Sequence, residues 1–95
     1  MRKNISSNTS KGYKIIVVDD EIGIIDSLSI FLKRSGYEFT GVTDPVEAIE
    51  LVKKEHFDLM LLDFIMTPIH GDQVVEEIRK FNKELYIYYL LDIKI

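Results

Sequence analysis

The sequence contains no cysteine and only two prolines in 95 residues. Without cysteine the chain can form neither a disulfide bond nor a thiolate metal site, so any metal ion it binds would rest on oxygen ligands. Chains without disulfides are typical of reducing compartments, and we expect this protein in the cytoplasm. With 46% hydrophobic residues, the chain can build a core of modest size.

The sequence also lacks an apolar stretch of membrane-spanning length and a cluster of basic residues interleaved with aromatic ones. Acidic residues outnumber basic ones by 16 to 12, which gives a net charge of −4. We therefore expect neither a membrane span nor direct binding to nucleic acid. Residues 1–12 are polar and basic without the apolar centre of a signal peptide, and they predict a flexible tail before one domain at residues 13–95.

Two short, strongly apolar runs each end in acid. Residues 15–18 (IIVV) precede Asp19 and Asp20, and residues 59–62 (LMLL) precede Asp63. Runs of four or five aliphatic residues are typical of strands that are covered on both faces of a parallel sheet. Ligands of such sheets bind just beyond the carboxyl ends of the strands. If the two strands are neighbours, the three carboxylates meet in one site.

Three carboxylates in one site, with Glu21 nearby, repel one another unless a cation lies between them. A hard ion such as Mg²⁺ fits, because it prefers oxygen ligands, keeps several waters and bridges to phosphate. A carboxylate beside such an ion can attack phosphorus and form an aspartyl-phosphate. The pattern therefore predicts phosphoryl transfer onto Asp63.

The rest of the chain alternates between helical and strand patterns. Apolar residues after Asp20 recur at helical spacing up to Gly36, which is predicted to end that helix in a left-handed conformation. Residues 37–42 predict an edge strand, and residues 85–91 predict a fourth strand by their aromatic content. Asp72 is predicted to cap the third helix. The predicted core stripes are Ile24, Ile25, Leu28, Phe31 and Leu32 in the first helix and Val74, Val75, Ile78 and Phe81 in the third.

The order of strands and helices predicts an α/β fold with a doubly wound parallel sheet. In order and spacing, residues 14–21, residues 58–63, Met66 and Gly71 are similar to the response-regulator receiver domain of two-component signal transduction, and the similarity covers residues 14–91. The resemblance implies the flavodoxin-like form of this sheet. It also implies a signalling module, not an enzyme, whose partner is a sensor histidine kinase or a phosphotransfer protein.

By this resemblance Asp63 would be the phosphoacceptor of a phosphorelay. Asp20 and Asp63 would bind Mg²⁺ directly, the backbone carbonyl of Ile65 would supply a third ligand, and Asp19 would act mainly through water. Taken alone, Asp19 and Asp20 could simply cap the following helix. Their combination with Asp63 favours the metal site.

The resemblance breaks off near the end of the sequence. A full receiver continues with a helix, a fifth strand that ends in a lysine, and a final helix, whereas this sequence ends at Ile95. The family's switch hydroxyl falls at Leu91, and Lys94 does not take the position of the family's lysine. We interpret the chain as an incomplete receiver, truncated after its fourth strand, which keeps the metal and acceptor half without the readout half.

Two other functions remain open at this point. The chain could be a degenerate interaction module that binds a kinase or another receiver as a decoy, without phosphorylation. A small flavodoxin-like nucleotide binder is disfavoured, because no glycine-rich phosphate loop follows the first strand. Binding of Mg²⁺ and incorporation of phosphate would separate a phosphoacceptor from a decoy.

The fourth strand predicts self-association. Residues 86–91 carry neither a charge nor a proline that would discourage pairing with another strand. We therefore expect a homodimer through the fourth strand and the C-terminal residues. It could form by edge-to-edge pairing of strands or by exchange of residues 83–95 between chains.

Overall fold

The computed structural model describes residues 12–90. Residues 1–11 of the expected tail lie outside the described residues. The same holds for two C-terminal positions that the sequence analysis singled out, Leu91 and Lys94. No helix among residues 12–90 is long and apolar enough to cross a membrane.

Strands and helices alternate along the chain in the predicted order. The elements are β1 (Lys14–Val18), α1 (Ile22–Arg34), β2 (Glu38–Val42), α2 (Pro45–Lys54), β3 (Leu59–Leu62), α3 (Gly71–Arg79) and β4 (Tyr86–Tyr89). The four strands form one parallel sheet in the order β2-β1-β3-β4. This is the flavodoxin-like order of a doubly wound sheet, so the predicted fold is confirmed.

The two central strands are buried on both faces, as their unbroken aliphatic sequences predict. On the face covered by α2 and α3, Ile16, Met60 and Leu62 are fully buried and pack with Val74 and Ile78 of α3. Each such side chain stabilises the fold by about 1.5–3 kcal/mol relative to an exposed one. This face holds the larger of the two hydrophobic clusters.

Among residues 12–90, only α1 covers the opposite face of the sheet. Ile25 and Leu32 of α1 pack on Val17 and Leu61 in a smaller cluster. Gly41 of β2 permits a close approach, because a Cβ atom there would overlap the side chain of Ile25. The helix therefore lies over the β2 side of the sheet.

Helix ends differ in part from the predictions. Asp44 caps α2, with its carboxylate accepting the N–H of Val46 at 2.9 Å, and Gly36 after α1 has the predicted positive φ of 94°. The prediction that Asp72 caps the third helix is wrong. His70 is the N-cap residue of α3, and its N–H donates to Oε1 of Gln73 at 2.9 Å. Asp72 lies within the first turn of the helix instead.

Two predicted core residues are exposed. Phe31 lies on α1 with 65% of its surface exposed, and Phe81 lies beyond the end of α3 with 42% exposed. Both belong to a helical apolar pattern in the sequence, but Phe31 lies about 100° around the helix from the buried Leu32, at the margin of the face that packs on the sheet. For Phe81, the helix ends before the pattern does, and its ring instead meets the ammonium group of Lys53.

Candidate functional site

Asp19 and Asp63 follow the two central strands directly. Because β1 and β3 pair in parallel with Val18 beside Leu62, the two carboxylates emerge at the same edge of the sheet. The backbone fixes both positions: the N–H of Asp63 donates to the carbonyl of Val18 at 2.9 Å, and that of Asp19 to the carbonyl of Val42 at 3.1 Å. The side chain of Asp19 is fully buried, and 9% of the surface of Asp63 is exposed. Burial of two neighbouring carboxylates is costly unless hydrogen bonds or a cation compensate for it.

The exposed Asp20 completes a cluster of three carboxylates. One oxygen from each of Asp19, Asp20 and Asp63 lies within 4.8 Å of the other two. Oδ1 of Asp19 accepts the N–H of Glu21 at 2.9 Å, and Oδ1 of Asp63 accepts the N–H of Ile65 at 3.4 Å. These bonds orient the acids before any ligand is present.

Helix capping does not account for the acids that follow β1. The N-cap residue of α1 is Glu21, and it makes no side-chain hydrogen bond to the helix. Asp19 and Asp20 precede the cap, and Asp19 instead faces the site from the strand end. This placement favours a ligand-binding role for the pair.

The donor set suits a hard divalent cation. Three carboxylate oxygens at this spacing offer the oxygen ligands that Mg²⁺ prefers, and the open side at Asp20 leaves room for the waters that Mg²⁺ retains. A softer ion would require nitrogen or sulfur ligands, which this cluster does not offer. The residues present therefore fit Mg²⁺.

The loop after Asp63 separates the site from the core. Met66 is buried, with 1% of its surface exposed, and packs in the hydrophobic cluster between the sheet and α3, where a flexible methionine fills an irregular gap. Ile65 is 70% exposed beside the site. The loop closes where the N–H of Gly71 donates to the carbonyl of Phe64 at 2.7 Å.

Asp58, the acid just before β3, lies at the opposite end of the sheet. Its Oδ2 accepts the backbone N–H of Lys14 at 2.8 Å, and its Oδ1 lies 2.9 Å from Nε2 of His56. These two hydrogen bonds, with the backbone bond to Lys14 the larger cause, lower the pKa of Asp58. Asp58 thus holds the start of β1 and takes no part in the acidic cluster.

The sequence did not point to Tyr89 as a neighbour of the site. Tyr89 is the last residue of β4 and pairs with Leu62 of β3. Its ring meets that of Phe64, the residue after Asp63, edge-on at a centroid distance of 5.2 Å. Burial, and to a lesser extent the charge of Asp72, raise the pKa of Tyr89. The predicted strand register could have located this contact, because it sets Tyr89 beside the end of β3.

Comparison with known proteins agrees with this geometry. A curated relative, the regulatory protein VanRc of Enterococcus gallinarum, is 40% identical over 67 residues, which cover 70% of this chain and 29% of that protein. The crystal structure of histidine kinase ThkA in complex with response regulator TrrA contains a chain that is 36% identical, with a TM-score of 0.76 over 81% of this chain and 66% of that one.

A second solved structure is that of TrrA from Thermotoga maritima in complex with Mg²⁺ and BeF. It is 35% identical, with a TM-score of 0.73, and covers 81% of this chain and 65% of that one. The chain thus spans under a third of its curated relative and about two thirds of these solved chains. The profile of the response regulator receiver domain matches residues 15–91. The chain therefore belongs to the receiver domains of response regulators, which are regulatory modules of two-component systems.

Proposed function

We propose that this chain accepts a phosphoryl group on Asp63, with Mg²⁺ held by Asp19, Asp20, Asp63 and the backbone carbonyl of Ile65. The observation that carries the proposal is the meeting of three carboxylates at the ends of β1 and β3. Residues 13–95 form the receiver unit in this proposal, and residues 1–12 form a tail outside it. The module is regulatory and works in the cytoplasm.

Asp63 is the acceptor because it directly follows the central strand β3, and its N–H donates to the carbonyl of Val18 in β1. A carboxylate oxygen of Asp63 attacks phosphorus and forms a new O–P bond. The bond from phosphorus to the donor breaks, and its electron pair leaves with the donor. From acetyl phosphate the leaving group is acetate, and from a phosphohistidine it is the imidazole, which departs from its nitrogen–phosphorus bond.

Bound Mg²⁺ would neutralise charge on the transferring phosphoryl group and on the acids around it. The protein contributes the fixed positions of its acids. The hydrogen bonds from Glu21 to Asp19 and from Ile65 to Asp63 occupy one oxygen of each carboxylate.

The donor in a phosphorelay would be a histidine kinase or a phosphotransfer protein. Support comes from the similar TrrA, which forms a complex with histidine kinase ThkA. It comes also from the Mg²⁺ and BeF complex of TrrA. Ile65 and Ile22, each at least 60% exposed, lie beside the acidic cluster. They provide an apolar surface near Asp63 on which a partner protein can bind.

Phosphoryl incorporation from acetyl phosphate, with and without Mg²⁺, tests this proposal. We expect incorporation into the wild type only when Mg²⁺ is present, and none into Asp63→Asn. Asp58→Asn is the matched control, since Asp58 belongs to the same sequence run but lies at the far end of the sheet. A wild type that binds Mg²⁺ but takes up no phosphoryl group would contradict the proposal and support a decoy.

We also propose that the chain forms a homodimer through β4 and the C-terminal residues. β4 is an edge strand of the described sheet, and its exposed side chains are the aromatic rings of Tyr86 and Tyr88. Edge strands without charge or proline readily pair with another chain. Pairing of the two β4 edges and exchange of residues 83–95 are two ways to form this dimer.

A further inference from the structure

Glu21 lies beside the acidic cluster, and its side chain takes no part in the helix that it begins. It is the N-cap residue of α1, yet its exposed carboxylate makes no hydrogen bond to that helix. The acids at the starts of the other two helices differ in this respect. Asp44 accepts the N–H of Val46 at 2.9 Å. Asp72 accepts the N–H of Gln73 at 2.9 Å. Helix capping therefore does not explain the carboxylate of Glu21.

The backbone of Glu21 is held from two sides. Its N–H donates to Oδ1 of Asp19 at 2.9 Å. Its carbonyl accepts the N–H groups of Ile24 and Ile25 at 3.1 and 3.4 Å. Because a glutamate side chain reaches about 6 Å from its own backbone nitrogen at standard bond lengths, the carboxylate stays within about 9 Å of Oδ1 of Asp19. Glu21 thus contributes a negative charge that cannot move far from the cluster.

Glu21 also lies on the side from which a ligand reaches the cluster. Asp19 is fully buried and Asp63 is 9% exposed, whereas Asp20 and Glu21 are both exposed. A phosphoryl donor therefore approaches Asp63 past these two exposed acids. In the proposed function Asp20 is a ligand of Mg²⁺, so the bound ion offsets its charge. The charge of Glu21 acts on the donor in addition to the other charges of the site.

We propose that the charge of Glu21 selects among phosphoryl donors, so that the site reacts more slowly with a donor that carries more negative charge. This inference rests on the proposed function and concerns the selectivity of the same site. The favoured donor is one whose phosphoryl group has neutral or cationic surroundings, such as a protein phosphohistidine flanked by basic side chains. Free, doubly negative phosphoryl donors are disfavoured.

Coulomb's law gives the size of this selectivity. In water, two unit charges about 9 Å apart change a rate about twofold, and doubling one of the charges squares that factor to about fivefold. At an ionic strength of about 0.15 M the Debye length is about 8 Å, so salt weakens the effect. At about 0.01 M the Debye length is about 30 Å, and the effect is nearly complete. The selectivity is therefore measured best at low salt.

Acetyl phosphate and phosphoramidate are suitable probes because they differ in charge. At neutral pH acetyl phosphate carries about two negative charges, as phosphoryl groups commonly do, whereas the protonated nitrogen of phosphoramidate reduces its net charge to about one. With phosphoramidate, an oxygen–phosphorus bond forms at Asp63 while the phosphorus–nitrogen bond breaks. The electron pair of the broken bond stays with the nitrogen, which leaves as ammonia.

The test compares the initial rates of phosphoryl incorporation from the two donors at low ionic strength and saturating Mg²⁺. We expect Glu21→Gln to raise the rate from acetyl phosphate about fivefold and the rate from phosphoramidate about twofold. Glu21→Asp keeps the charge and should keep the wild-type ratio of the two rates. Glu38→Gln is the matched control, because it removes the same charge from an exposed glutamate at the start of β2, at the opposite edge of the sheet. It should change both rates far less.

Two further measurements separate charge from shape. Added salt should raise the rate from acetyl phosphate more in the wild type than in Glu21→Gln, because screening acts on a repulsion that the variant lacks. Calorimetric titration at low salt should give a Mg²⁺ dissociation constant about fivefold higher in Glu21→Gln, since a divalent cation is attracted as strongly as a doubly negative donor is repelled. Circular dichroism checks that each variant is folded.

The outcomes distinguish this inference from the proposed function. If the ratio of the two rates were the same in Glu21→Gln as in the wild type, the selective role of Glu21 would be overturned while Asp63 remained the acceptor. An equal rise of both rates would have the same meaning, because an effect of shape does not depend on the charge of the donor. A wild type that incorporates a phosphoryl group from neither donor would overturn the proposed function and this inference together.

Discussion

The rings of Phe64 and Tyr89 meet edge-on, with centroids 5.2 Å apart and planes at 84°. Phe64 directly follows Asp63, and Tyr89 ends the strand beside it. The carbonyl of Phe64 accepts the N–H of Gly71 at 2.7 Å, so the loop after Asp63 is held by a ring on one side and by a hydrogen bond on the other. Tyr89 thereby helps to position the backbone that presents Asp63 and Ile65.

Tyr89→Leu should weaken this support, whereas Tyr89→Phe should preserve it. An edge-to-face pair contributes about 0.5–1.5 kcal/mol beyond its buried area. We expect Tyr89→Leu to lower the free energy of unfolding by at least that amount and Tyr89→Phe to change it by less. Urea unfolding measures both. Mg²⁺ affinity measured on the same proteins should fall in Tyr89→Leu and recover in Tyr89→Phe, and equal affinities would show that the ring pair does not position the site.

Gly71 is required by close backbone contacts. A Cβ atom there would lie 2.7 Å from the carbonyl oxygen of Asp63 and 2.9 Å from Cα of Phe64. Because these are backbone atoms, Gly71→Ala should destabilise the protein by about 1–3 kcal/mol, as overpacking does elsewhere.

The control is Gly23→Ala in α1, where an added Cβ atom meets nothing within 4 Å. Since alanine is the better helix former, Gly23→Ala should stabilise the protein by about 0.5–1 kcal/mol. Thermal unfolding of both variants measures the contrast. If Gly71→Ala had the same melting temperature as the wild type, the close contact between the start of α3 and the loop after Asp63 would be absent.

Asp58 should make stability depend on pH in the acid range. Its pKa is lowered below the ordinary 3.8, first by the hydrogen bond from the Lys14 backbone and then by His56. A carboxyl group with a lower pKa in the folded state contributes stability above its unfolded pKa and loses it as the pH falls through the folded pKa. The wild type should therefore exceed Asp58→Asn in unfolding free energy at neutral pH, and the difference should shrink below pH 3.8. A difference that stays constant through this range would refute the assignment.

Phosphorylation of this chain should rearrange the fold little. The family's switch hydroxyl falls at Leu91, outside the described residues, and a leucine side chain cannot donate a hydrogen bond to a phosphoryl oxygen. A ligand shifts a conformational equilibrium only when it distinguishes between the two states. On addition of BeF and Mg²⁺, we expect small changes in the NMR chemical shifts of the backbone amides of α3 and β4. Introduction of the hydroxyl by Leu91→Thr should enlarge them, and large changes in the wild type would contradict this reading.

The sequence was sufficient to predict the sheet and the acidic cluster. A strand that is buried on both faces of a parallel sheet has an uninterrupted aliphatic sequence. The acid that follows each such sequence marks the carboxyl end of the strand. Asp19 and Asp63 could therefore be placed at the same edge of the sheet. The start of α3 could not be predicted in the same way. His70 is an uncommon cap, and Asp72 two residues later gave the stronger local signal.

The exposure of Phe31 and the contact of Tyr89 depend on tertiary structure. Helical spacing places Phe31 on the apolar side of α1 but does not reveal how far the helix is shifted toward β2. The ring pair of Phe64 and Tyr89 joins residues 25 apart in sequence that only the β3–β4 register brings together. Local patterns therefore predict the elements and the site, while the surfaces between elements follow from packing.

The most direct test of the account is to locate the phosphoryl group itself. After incubation with acetyl phosphate and Mg²⁺, reduction with borohydride converts an aspartyl-phosphate to homoserine, and peptide mass spectrometry then identifies the modified residue. The account predicts homoserine at position 63 in the wild type, dependence on Mg²⁺, and loss of the signal in Asp20→Asn as well as in Asp63→Asn. Modification at Asp19, Asp20 or Asp58 with Asp63 unchanged would contradict it.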